Sequence, residues 1–147
     1  MPLRPIPLVV ALFAASAALA HSGVSNPAVK ARMHAMMQIA DNTKILGAMA
    51  KGDAPFDADQ ARAAAAAIAA HAASVPTLFM AEEHDPKSEA LPAIWQDFDT
   101  FGQRSEALTL AAAEAAGTIE TEADLKPALA RIGGTCKSCH QDFRKPS

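Results

Sequence analysis

Thr121-Glu122-Ala123-Asp124-Leu125-Lys126-Pro127-Ala128-Leu129-Ala130-Arg131-Ile132-Gly133-Gly134-Thr135-Cys136-Lys137-Ser138-Cys139-His140-Gln141-Asp142-Phe143 decides the fold. Thr121 can cap a helix, with Glu122 and Asp124 favourably placed in its first turn and Pro127 early enough to be tolerated. Leu125, Leu129, Ile132, Cys136, Cys139 and Phe143 then recur at spacings of three and four, the inward seam of an amphipathic helix that carries both thiols toward a core. Gly133 and Gly134 each cost a helix interior about 1 kcal/mol relative to Ala. Such a cost calls for a close approach by a cofactor or a neighbouring helix, or else for a local break.

Within that helix, Cys136-Lys137-Ser138-Cys139-His140 is the Cys-x-x-Cys-His arrangement that attaches a c-type haem. Positions i, i+3 and i+4 share a helix face, so two sulfurs can meet the vinyl groups of one porphyrin while the imidazole points at its iron. A dithiol redox motif would want a βαβ context, and a zinc site would want a second pair of ligands. A disulfide closing so small a ring restrains the unfolded chain little and is strained on a helix.

Working outward, three more helices follow from the pattern. Asn26 and Pro27 open helix A, which runs to Lys51 with Val29, Met33, Met36, Ala40, Thr43, Gly47 and Ala50 as its expected seam, and Gly52-Asp53-Ala54-Pro55 stops it. Asp57 and Gln60 start helix B, an alanine-rich run with Ala61, Ala65, Ile68, Ala72 and Val75 inward and an expected end near Pro76. Leu78 to Pro92 reads as a solvated acidic crossover. Helix C is expected as one piece with Ile94, Phe98, Phe101, Ser105, Leu108, Ala112 and Ala115 on its seam, Trp95 beside it as a core anchor and Gly117 past its end. The sum is an all-α bundle of four helices with a covalently attached haem near the C-terminus.

The 147 residues suit one domain, half of them apolar and none of them tyrosine. Residues 1–20 combine Arg4, the apolar run Leu8 to Phe13 and Ala18-Leu19-Ala20 ahead of His21, which predicts a signal peptide followed by a haem domain over 21–147. Loss of Arg4 leaves 12 basic against 16 acidic residues, a net charge of −4 that gives no general affinity for nucleic acid. No stable membrane insertion is expected after processing.

The motif near the end, continued by Gln141-Asp142-Phe143-Arg144, together with Arg32-x3-Met36, Lys51-Gly52-x-x-Pro55-Phe56-Asp57 and Leu91-Pro92-Ala93-Ile94-Trp95, resembles the cytochrome c′ and cytochrome c-556 family. The resemblance implies one haem c on Cys136 and Cys139, with His140 as proximal iron ligand, Arg144 on the proximal side and Arg32 near the haem propionates. It also makes Met36 the deciding residue. In the c-556 type this methionine is the sixth ligand of a low-spin electron carrier; in the c′ type the position is non-coordinating and the iron binds nitric oxide or carbon monoxide. Thioether ligation raises the potential and closes the site, whereas an unligated side chain guards a pocket. On this resemblance the chain is read as a periplasmic one-electron carrier with His140 and Met36 as axial ligands. Helix D carries Lys126, Arg131, Lys137, Arg144 and Lys145 against Asp142, a basic excess suited to a redox partner with an acidic docking face. Helices A and B could pair two copies as a homodimer. No enzymatic role is expected, because the candidate acid-base groups His34 and His71 flank the inward seams.

Overall fold

The computed structural model describes residues 23–146, so the predicted signal peptide lies outside the described residues. The first long helix, α1, spans Pro27–Lys51. The Asn26 side chain accepts from the N–H groups of Ala28 (2.8 Å) and Val29 (3.1 Å), satisfying two of the donors a helix start leaves free. Gly52 ends it at φ 77°, the left-handed conformation that glycine adopts without steric cost. The second helix, α2, spans Ala58–Leu78 behind an Asp57 cap, and Ala61, Ala65, Ile68, Ala72 and Val75 are all buried as the pattern requires.

Pro76 does not terminate α2. A proline cannot return an N–H to the carbonyl four residues earlier, here that of Ala72. The hydroxyl of Ser105 from the facing helix donates to that carbonyl at 2.7 Å, and the helix continues for two residues. Helix C is likewise corrected: it is two helices, α3 (Ala93–Gln96) and α4 (Phe98–Thr118). Asp97 breaks from helical geometry, and its carboxylate accepts from Thr100 N–H (3.2 Å) to start α4 afresh. Gly117 lies within the last turn of α4, whose cap is the extended and fully buried Ile119.

Thr121 and Asp124 form the next start signal. One carboxylate oxygen of Asp124 accepts from the N–H and hydroxyl of Thr121, both at 2.8 Å, and a 3-10 turn over Glu122–Asp124 leads into α5, Leu125–Phe143. Four long antiparallel helices therefore make a bundle. No strand occurs among the described residues beyond an isolated bridge between Ala90 and Arg144.

Around the bundle α2 packs closely on α1 and α4, and α4 on α5, whereas α1 and α5 meet lightly. Leu46, Met49, Ile68, Ile94, Ile119, Leu125 and Ile132 are fully buried, each worth about 1.5–3 kcal/mol of transfer free energy. At one end Phe101 gathers Phe79, Phe98 and Phe143 at centroid separations of 5.1, 5.8 and 5.4 Å, joining the crossover to α4 and α5.

The protein-buried stripe of α1 is Val29, Arg32, Ala35, Ile39, Leu46 and Met49. The expected seam is thus rotated by about one residue, roughly 100°. Arg32, which the expected seam left out, is buried because its guanidinium finds acceptors there. Met33, Met36, Thr43, Gly47 and Ala50 lie half-buried beside that stripe, and Ala40 is exposed.

Candidate haem site

On α5, Cys136 and Cys139 are half-buried, packed against the main core and not bonded to each other. Burial raises both thiols above their ordinary pKa. Cys139 is pushed up to about 11, with the neighbouring Cys136 adding to the effect and Arg104 opposing it. His140 follows directly at an exposed position, and partial desolvation, then the nearby Arg144 cation, lower its proton affinity while Glu89 opposes. A neutral imidazole is the form that ligates metal.

The helix is unbroken through Gly133 and Gly134, which removes a local break as their explanation. A Cβ at either position would meet no atom within 4 Å, so no neighbouring helix requires them either. Gly133 precedes His140 by seven residues, two turns along nearly the same stripe, and carries no side chain at that turn.

Three methionines occupy the corresponding stretch of α1. Met33, Met36 and Met37 are all half-buried, but of the three only Met36 packs against the core cluster, as Cys136 and Cys139 also do. One turn earlier, Arg32 is 3% exposed. Its Nε donates to Leu78 O (3.0 Å), Nη1 to Glu83 O (2.9 Å) and Nη2 to Ala81 O (2.5 Å). Its guanidinium carbon lies 4.6 Å from the Phe79 ring centroid and 5.3 Å from that of Trp95. Hydrogen bonds to carbonyl dipoles and two aromatic faces offset a desolvation cost of several kcal/mol. Two of the five guanidinium N–H groups remain. Trp95 is an anchor: its indole N–H donates to Phe79 O at 2.7 Å.

Arg144, one turn beyond His140, pairs through Nε (2.7 Å) and Nη2 (2.6 Å) with the Glu89 carboxylate. Arg131 pairs with Glu114 and Arg104 with Asp142. Two of the cations counted along the last helix, Arg131 and Arg144, are therefore balanced by acids on facing segments, whereas Asp142 is itself neutralised by Arg104 of α4, which a count along one helix cannot register. Lys126 and Lys137 are exposed.

His34 is exposed and His71 half-buried. His84 is exposed and stands edge-on to Trp95 at 5.6 Å. Sequence reading missed Asp85 and Glu89, which it placed in a solvated loop. Asp85 is buried, and its carboxylate accepts from Ser25 N–H (2.8 Å), Ser25 hydroxyl (3.1 Å), Asn26 N–H (3.1 Å) and Lys87 N–H (2.9 Å). The backbone donors hold its pKa down to about 2. The Asp85-Pro86 turn was the available signal.

Among the described residues no group of three or more His, Cys, Asp or Glu is placed to hold a bare metal ion. Two adjacent thiols on a helix face, an imidazole at the next position and a glycine-cleared stripe above it fit a covalently held haem. A helical bundle with this donor set defines a class of protein, the c-type cytochromes built on four helices. A family model described as Cytochrome C′ matches residues 27–144, and the chain belongs to that family, whose members carry one covalently attached haem c. It is 41% identical over 110 residues to cytochrome c′ of Rhodopseudomonas palustris, covering 74% of this chain and 75% of that one. It is 35% identical over 117 residues to cytochrome c-556 of Agrobacterium fabrum, covering 79% and 80%. The solved structure of the Rhodopseudomonas palustris cytochrome c′ superposes with a TM-score of 0.77 at 37% identity, over 84% of this chain and 99% of the other. The protein is thus a c-type cytochrome of the electron-carrying or gas-binding kind. No helix among the described residues is long and apolar enough to cross a membrane.

Proposed function

We propose that this cytochrome is a periplasmic one-electron carrier, exported by residues 1–20, whose haem c is held by Cys136 and Cys139 with His140 and Met36 as axial ligands. The observation that carries the reading is that Met36, alone among the three neighbouring methionines, packs against the same core cluster on which both cysteines pack. When bound, haem c supplies the Fe(III)/Fe(II) couple. The protein's part is to hold the imidazole of His140 neutral, to present the soft thioether of Met36 and to keep water from the space between them. Arg32 keeps two N–H donors for a propionate, and Arg144 lies on the proximal side. Exposed Lys126 and Lys137 offer the charge that steers an acidic redox partner. Pairing of two copies through α1 and α2 belongs to the same reading, as does the absence of a catalytic role.

Substitution tests the ligand directly. Met36→Ala is expected to convert a low-spin ferric spectrum to high-spin and to abolish the sulfur-to-iron band, while Met33→Ala and Met37→Ala leave both in place. Retention of the low-spin spectrum in Met36→Ala would exclude Met36 as ligand. A second reading, a five-coordinate cytochrome c′ that binds nitric oxide or carbon monoxide, is favoured by the 41% identity to a cytochrome c′. It requires that wild type be high-spin already and that Met36→Ala change only the rate of gas entry.

A further inference from the structure

Residues 79–92, the crossover between α2 and α3, are bonded to both helices of the haem site. On one side Arg32, a turn before Met36, holds the carbonyls of Ala81 and Glu83 together with that of Leu78 at the end of α2, and Asp85 grips Ser25 and Asn26 at the start of α1. On the other side Arg144, a turn after His140, pairs with Glu89. Lys145 N–H donates to Glu89 O at 2.8 Å, and Leu91 N–H donates to Phe143 O at 3.0 Å. Between these anchors α1 and α5 themselves meet lightly.

Of the acids of this segment Asp85 is buried, while Glu83 and Glu89 are exposed but each bonded to a helix end: Glu83 accepts from the Asn26 side chain (2.9 Å) and Glu89 pairs with Arg144. Glu82 has only His84, 3.4 Å away.

We propose that the 79–92 crossover is a strap that sets the separation of α1 and α5, with Asp85 and Glu89 as positioning residues that limit how readily a small ligand reaches the iron. A contact that fixes the strap to either helix opposes the parting of α1 from α5 that entry of a diatomic molecule demands. Loosening one anchor raises the population of the parted state and hence the entry rate. The inference rests on haem attachment at Cys136, Cys139 and His140 but not on ligation by Met36, since carbon monoxide must pass between the same helices in either case.

The experiment uses ferrous holoprotein carrying Met36→Ala, in which the iron is open to carbon monoxide whether or not Met36 ligates it in wild type, and measures carbon monoxide association, with amide hydrogen exchange at Asn26 and Leu91 reporting strap attachment. Glu89→Ala, at an exposed position that tolerates truncation, is expected to speed Leu91 exchange and to raise the association rate about threefold. Asp85→Asn, which removes charge from a buried acceptor, is expected to speed Asn26 exchange and raise the rate about tenfold. Glu82→Gln, on the same segment but bonded to neither helix, is the control and is expected to match the Met36→Ala parent. Faster strap exchange in Glu89→Ala with an unchanged association rate overturns the proposal, as does unchanged exchange and rate together. Absence of covalent haem from wild type is a separate outcome that contradicts the underlying site reading.

Discussion

Ser105 and Pro76 show how one residue's defect is met by another. With Pro76 in place the carbonyl of Ala72 has no intrahelical donor, and the Ser105 hydroxyl takes that role in a buried setting. Ser105→Ala is expected to lower unfolding free energy by about 1–3 kcal/mol, the cost of an unsatisfied buried acceptor. In a Pro76→Ala background the same change should cost less, because the backbone N–H restored at that position then reaches Ala72 O. A double-mutant cycle by chemical denaturation checks this, and equal costs in both backgrounds would contradict it. The sequence marks Ser105 as inward and Pro76 as a stop, and each reading is sound alone. What it lacks is the register between the two helices, which decides that they meet. The burial of Arg32 was not legible for a related reason: its acceptors are backbone carbonyls of residues 78–83, and no residue type announces a carbonyl that turns inward.

At the level of elements, the four long helices were legible because caps and seams agree. Asn26, Asp57 and Thr121 start helices where expected, and the inward stripe of α2 is buried residue for residue. The crossover was not legible, since acidic composition looks the same whether its carboxylates face water or helix ends. Asp85 makes the difference measurable. Its folded pKa of about 2 lies below the ordinary aspartate value of 3.8, so the folded state favours the charged form. The stability it contributes is therefore present above about pH 4 and lost as pH falls toward 2. Asp85→Asn should flatten the acid limb of a stability-against-pH curve across that window while lowering stability at neutral pH. An unaltered acid limb would show that the carboxylate does not anchor the strap.

For the molecule as a whole, the protein-only packing is uneven: α2 is held on both sides, whereas the α1–α5 seam is thin and flanked by half-buried Met36, Cys136 and Cys139. The haem site was legible to the extent that its donors sit in one short motif, and less so on α1, where three methionines share similar exposure. In protein prepared without haem, amides of α5 are expected to exchange faster than those of α2 and α4, and covalent loading should slow α5 most. Uniform exchange across the four helices would contradict that view of the seam. Closure of the iron between α5 and α1 by His140 and Met36 is the central claim. It is tested most directly by the optical spectrum of wild-type holoprotein, ferric and ferrous, with and without carbon monoxide. A low-spin spectrum with a ferric sulfur-to-iron band, unmoved by the gas, is the result predicted; a high-spin spectrum that shifts fully on adding carbon monoxide would contradict it.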